Sequence, residues 1–171
     1  VSLQAALLRG VNLGKRKVVM SELRALIEAA GFSDVRTLLA SGNVVLNAKE
    51  KAAKLEAKLE KLFAEGLGFK TDVYVRDHGE LAKVIDANPF TAFAKAQPSF
   101  MVAFFMRENP SAALVKALNA QAGPEEIAAG PRCLYIKFSN GQGPSKLKLP
   151  TSGTARNWNT VGKLAAMLAD E

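Results

Sequence analysis

The densest chemistry in the chain lies in Thr151-Ser-Gly-Thr-Ala-Arg-Asn-Trp-Asn-Thr-Val-Gly-Lys163, which holds the only tryptophan, Trp158, between two asparagines and next to Arg156. If Asn157 or Thr154 caps a helix that starts here, the backbone N–H groups from Ala155 to Thr160 have no intrahelical partners. The positive end of the helix dipole then lies beside Arg156, with Lys163 a turn or two along. That combination suits a phosphate or a carboxylate. The same residues also support a packing reading. Trp158, Val161, Ala165 and Leu168 follow helical spacing, so Trp158 can be a core anchor and the asparagines can stitch the preceding loop to a sheet through their amides.

A second candidate is the loop Arg9-Gly-Val-Asn-Leu-Gly-Lys15. A strand, a glycine-bearing loop, a lysine and then a helix is the order of a phosphate cradle. Gly10 and Gly14 are one residue too close for a P-loop, and Arg16 stands where Ser or Thr would hold magnesium, so a P-loop is excluded. A looser anion-binding loop and a plain connector both remain. The expected site draws on Arg9, Asn12 and Lys15 from this loop and on Arg156, Asn157 and Asn159 from the last motif. Ser145 and Lys146, from the Gly-rich stretch Asn140-Gly-Gln-Gly-Pro-Ser-Lys146, are weaker additions.

Groups able to move protons are scarce. His78 is the sole histidine and precedes a helix beside Asp77, where a capping or surface role fits. Cys133 falls on an expected strand, the usual setting of a buried inert thiol. Glu125 and Glu126 are adjacent, so on a strand they point to opposite faces. No cluster of Asp, Glu, His and Cys has metal-ligand spacing, and neither a metal nor a cofactor is expected.

The elements that must position these groups follow from hydrophobic period and turn residues. Leu3 to Leu8 reads as a strand. Ser21 is a fair cap for a helix with Leu23, Leu26, Ile27 and Ala30 on one face, stopped by Gly31. Val35 to Ala40 and Val44 to Leu46 flank the hairpin signal Ser41-Gly42-Asn43. Lys49 to Glu65 is a helix with a stripe of Leu55, Leu59, Leu62 and Phe63; Lys51, Lys54, Lys58 and Lys61 line another face, read as solvated. Thr71 to Arg76 is the next strand. This is the βαββαβ, ferredoxin-like order. A short helix, Leu81 to Ala87, is broken by Asn88-Pro89-Phe90, and a loop runs on to Pro98-Ser99. Phe100 to Arg107 is an apolar strand, Asn109-Pro110 caps and opens a helix with Leu114 and Leu118, and Glu126 to Ala129 pairs with Arg132 to Phe138 around Gly130-Pro131. Trp158 to Leu168 closes the chain as a helix. The second half repeats the βαββα order of the first in its elements, without a letter-by-letter repeat. The fold class is therefore α+β: two fused ferredoxin-like halves with antiparallel sheets, residues 1–78 and 79–171.

Composition fits a soluble globular protein: 171 residues, 49% hydrophobic and 23% charged. The net charge of +7 favours anionic partners, or simply keeps the surface hydrated. One cysteine cannot form an internal disulfide, the start lacks a basic leader, and no apolar run approaches the roughly 20 residues that cross a bilayer. No membrane association is expected, and the expected location is cytoplasmic.

Ala6-Leu-Leu-Arg-Gly-Val-Asn12, Ser41-Gly-Asn-Val-Val45, Asn88-Pro-Phe90 and Thr154-Ala-Arg-Asn-Trp-Asn-Thr-Val161 together resemble the bacterial DUF1697 family over nearly the whole chain. The resemblance implies a two-part α+β protein with ferredoxin-like halves. It implies no activity and carries no catalytic residues over. The family often has two consecutive glycines after the first loop's asparagine, where this chain has Leu13-Gly14-Lys15.

The residues support best a cytoplasmic protein that binds a small anionic or nucleotide-like ligand. Two alternatives stand beside it: a nucleic-acid-binding module, and an enzyme acting on a phosphorylated substrate. For nucleic acid, the first half has no aromatics on the strands that stack bases in RRM proteins. The second half has Phe100, Phe104, Phe105 and Tyr135 on its strands, which serve as a platform only if they are exposed.

Overall fold

A computed structural model describes residues 2–10, 17–38 and 42–169. The elements run β1 (Ser2–Leu8), α1 (Met20–Ala29), β2 (Ser33–Leu38), β3 (Asn43–Ala48), α2 (Ala52–Leu67), β4 (Val73–Asp77), α3 (His78–Asp86), α4 (Thr91–Ala96), β5 (Met101–Met106), α5 (Ala112–Gln121), β6 (Glu126–Gly130), β7 (Cys133–Lys137), β8 (Gly153–Asn157) and α6 (Trp158–Leu168). They form two four-stranded antiparallel sheets, ordered β2-β3-β1-β4 and β6-β7-β5-β8. The fold is α+β with two similar halves. The chain divides into one compact unit of residues 1–78 with 164–171 and another of residues 79–163.

In the first unit, α1 and α2 cover one face of the sheet. Leu55, Leu59 and Phe63 recur every four residues along α2 and are buried against Ala6, Leu8, Val44 and Leu46. The opposite face, with Leu3, Ala5, Leu7, Val45 and Tyr74, is buried as well. In the second unit, Leu118 of α5 packs with Val102, Phe104, Leu134 and Ile136. No helix joins β7 to β8 there. Leu147 and Leu149 of the connecting loop lie on the core in place of an α2 stripe.

Several boundaries differ from the sequence reading, each for a local reason. α1 begins at Met20, with Val19 as an N-cap that makes no side-chain bond, so Ser21 lies inside the helix. Gly31 does stop it, at φ 98°. Ser111, not Asn109, caps α5, its hydroxyl accepting the Leu114 N–H at 3.1 Å. Thr91–Ala96 is a short helix where a loop was expected. The sequence reading has no strand at β8, where Thr154 and Arg156 are strand residues, while the closing helix begins at Trp158 as its spacing places it.

Pairing register reveals a repeat that the letters alone hide. Ala5 lies opposite Val45 and Arg76, and Ala103 lies opposite Tyr135 and Arg156. The Leu8 N–H reaches the Gly42 carbonyl at 2.8 Å, and the Met106 N–H reaches the Arg132 carbonyl at 2.8 Å. Gly42 and Arg132 both have positive φ, 86° and 54°. Aligned this way, Ala5-Ala-Leu-Leu-Arg9 matches Ala103-Phe-Phe-Met-Arg107, and Val75-Arg-Asp-His78 matches Ala155-Arg-Asn-Trp158. In both halves a five-residue strand ends in Arg-Asx and passes directly into a helix.

Edge strands leave outward backbone groups that need partners. On β4, the Val75 N–H donates to Glu56 at 2.9 Å and the Val73 N–H to Glu60 at 3.0 Å, both carboxylates coming from α2. The Val75 carbonyl accepts from Arg76 at 2.8 Å. On β6, Asn119 of α5 clamps Ile127, giving its amide N–H to the carbonyl at 2.9 Å and accepting the backbone N–H at 3.1 Å.

Replacing the buried Glu56 with leucine is expected to leave the Val75 N–H without its acceptor and to cost about 1–3 kcal/mol in urea unfolding. Glu56→Gln keeps an oxygen there and should lose clearly less; equal losses in the two variants would refute the assigned bond.

Candidate functional site

The last motif is built into the second unit as follows. β8 places Arg156 in the ladder opposite Ala103, and its side chain is 6% exposed. Its guanidinium donates to Thr154 Oγ1 at 2.7 Å and to the Ala155 carbonyl at 2.8 Å. Burial pulls its pKa down to about 10, because the charged form loses hydration. Asn157 caps α6, its side-chain oxygen accepting the Thr160 N–H at 3.1 Å and facing the Thr160 hydroxyl at 3.3 Å. The Trp158 N–H donates to the Pro98 carbonyl at 3.1 Å. Asn159 is exposed and its amide reaches Ser99 Oγ at 3.3 Å. The Trp158 ring lies 6.3 Å from that of Tyr135. The expected row of unpaired N–H groups from Ala155 to Thr160 is therefore corrected. Ala155, Arg156 and Asn157 are strand residues, and the Trp158 and Thr160 N–H groups are bonded to protein oxygens.

Arg9 follows β1 in the first unit, half-buried, with its N–H on the Asp72 carbonyl at 2.9 Å and its carbonyl accepting from Thr71 Oγ1 at 2.5 Å. Asn12 and Lys15 lie outside the described residues.

Ser145 and Lys146 line a cleft of about 270 Å³ in the second unit, between the turn from α5 into β6 and the Gly-rich loop after β7. Gln121, Gly123, Pro124 and Glu125 form one wall, and Asn140, Gly141, Pro144 and Leu147 the other. The walls are tied together across the floor. Ser145 donates its hydroxyl to Glu125, whose other oxygen accepts the Gly123 N–H at 3.0 Å. Gln121 accepts the Lys148 N–H at 2.9 Å, and Ser145 Oγ accepts the Leu147 N–H at 3.2 Å. Gly141 adopts φ 82°, and a side chain there would press on the Phe100 ring at 3.3 Å. The Ser145 hydroxyl is the chief reason that the Glu125 carboxyl is held below the ordinary glutamate value. Lys146 is exposed at the rim.

Other candidate groups lie elsewhere. Cys133 is buried, His78 is exposed, and Lys51, Lys54, Lys58 and Lys61 are exposed. Phe104, Phe105 and Tyr135 are buried, and the Tyr135 hydroxyl donates to the Val84 carbonyl of α3 at 2.5 Å. Those three rings offer no open stacking surface, and Phe100 is the one of the four that is exposed, at 36%. Among the described residues no three His, Cys, Asp or Glu side chains gather as a metal site, and no helix is long and apolar enough to cross a membrane. Sequence reasoning missed Gln121, Glu125 and Asn140 as cleft residues. The only available signal was the turn chemistry of Gly123-Pro124 facing a second Gly-Pro stretch.

Two consequences can be measured. Arg156→Ala is expected to strand the Thr154 hydroxyl and the Ala155 carbonyl and to lower stability by about 2–4 kcal/mol in urea, with Arg156→Lys intermediate. The hydrogen bond from Ser145 depresses the folded-state pKa of Glu125, so its stabilisation is present above the ordinary value of 4.5 and is lost as pH falls through the folded value. The gap in urea midpoint between wild type and Ser145→Ala should therefore be constant near neutral pH and close in acid.

Comparison with known proteins places the chain. It belongs to the family described as "Protein of unknown function (DUF1697)", which matches residues 2–135. It is similar to the solved structure of the conserved bacterial protein SP0830 from Streptococcus pneumoniae, with 26% sequence identity, 99% of each chain covered and a TM-score of 0.78. No curated protein matches it.

Proposed function

We propose that this member of the DUF1697 family binds a small anionic, nucleotide-like ligand in the cleft beside Ser145 and Lys146. The observation that carries the reading is the cleft itself, about 270 Å³ with an ammonium group at its rim and side-chain amides in its walls. Its size lies near the lower end of the roughly 300–1,000 Å³ typical of small-molecule sites, which favours a ligand no larger than a mononucleotide. Pro124, Pro144 and Leu147 supply apolar surface for a ring. Gln121 and Asn140 carry amides suited to reading the polar edge of a base. Lys146 supplies the charge for a phosphate. The chain's +7 charge would draw such anions in.

Binding is favoured over catalysis by the state of Glu125. Among the described residues it is the one carboxylate lining the cleft, and Ser145 keeps it ionised and engaged, so it is a poor proton carrier near neutral pH. Arg156 and Asn157 support this reading only indirectly, by fixing β8 and the start of α6. A cytoplasmic location belongs to the same proposal and is supported by the single buried cysteine.

A thermal-shift panel of nucleoside monophosphates, sugar phosphates and inorganic phosphate should raise the melting temperature for at least one phosphate ester. Lys146→Ala should weaken that ligand about tenfold, the usual scale for one charge-assisted bond. A flat panel, or a shift indifferent to Lys146→Ala, would end the proposal for this cleft.

A further inference from the structure

The repeat between the halves extends to a corner of each. In both, the chain turns from the end of the first helix into the second strand and, alongside, leaves the third strand. The Ser145–Lys146 cleft occupies that corner in the second unit. The first unit has a cleft of about 330 Å³ at the same corner, between Gly31–Ser33 and Asn47–Glu50, with Lys58 entering from α2.

We infer that this corner of the first unit is a second binding site for a phosphate-bearing ligand, with Lys49 and Lys58 as its charge contacts. The inference rests on the reading of the Ser145–Lys146 cleft and extends it from one ligand per chain to two. Lys58 has two partners at this corner. Its ammonium group lies 2.5 Å from Glu50 Oε2 and 4.9 Å from the centre of the Phe32 ring, a cation–π distance. The wall beneath is braced. Gln4 is 2% exposed and donates its amide to the Glu50 carbonyl at 2.7 Å and, more weakly, to the Ala48 carbonyl at 3.4 Å.

Charge decides what fits. Two lysines, Lys49 and Lys58, line the cleft against one acidic residue, Glu50. The C-terminal end of α1 adds roughly half a negative charge, which leaves the corner positive. A phosphate monoester carries about −1.5 to −2 near neutral pH and competes well with the single charge of Glu50 for Lys58. Ser33 and Asn47 add a hydroxyl and an amide at the rim.

The test is an amide-resolved NMR titration of the full chain with AMP. Two groups of resonances should move: one from Gly123 and 140–147, the other from Gly31–Ser33 and Asn47–Glu50. The double variant Lys49→Ala, Lys58→Ala should weaken the second group at least tenfold and leave the first unchanged, whereas Lys146→Ala should do the reverse. Glu50→Gln removes the competitor for Lys58 and should tighten the second group several-fold. Movement confined to the Ser145–Lys146 cleft overturns this inference and leaves the first reading intact. Movement at neither corner overturns both. Movement at Gly31–Ser33 that persists in the double lysine variant also overturns it.

Discussion

The outward backbone groups at the sheet edges are the constraint that most of this structure answers to. An edge strand in a small domain has no neighbour to take its N–H and C=O groups, and burying them unpaired is costly. β4 meets that demand with charge. Two α2 carboxylates one turn apart accept two N–H groups two residues apart, and Arg76 turns back onto the Val75 carbonyl beside them. β8 repeats the second half of the arrangement, with Arg156 on the Ala155 carbonyl. Arg156, which the sequence offers as a ligand-binding group, is a backbone partner, and Arg76 does the same work in the first half.

How much of this was legible depends on whether the signal was local. The helices with a clear four-residue stripe were readable, and α6 begins and ends where its spacing places it, at Trp158 and Leu168. β8 was not readable because Gly153-Thr-Ala-Arg-Asn157 has no alternation of large apolar residues and reads as a loop before a helix. It is a strand because β5 offers it a register, a long-range fact that local propensity does not encode. The duplication was legible in element order, whereas the matching letters emerge only when Ala5 and Ala103 are set in register by their partners.

The candidate cleft divides in the same way. Ser145 and Lys146 stood out because a Gly-rich loop carried them. Gln121, Glu125 and Asn140 are scattered over a helix end, a turn and a strand exit, and only folding brings them together. The halves also show how a corner can persist while its furniture changes. The first keeps a long helix between its third and fourth strands, whereas the second uses a loop whose Leu147 and Leu149 fill the same apolar role. Freed from helical spacing, that loop can carry prolines, which break a helix interior, and glycines, which weaken one.

The Asn119 clamp on β6 has a consequence for chemical ageing. Its amide works there as a piece of surrogate strand, with a donor facing the Ile127 carbonyl and an acceptor facing the Ile127 N–H. Slow deamidation to aspartate would keep the acceptor and turn the donor into a second oxygen, setting it against a carbonyl oxygen at hydrogen-bonding distance. A change of one mass unit would thus convert a closed rim into a repulsive one, and the loosening of old protein would begin at Ile127.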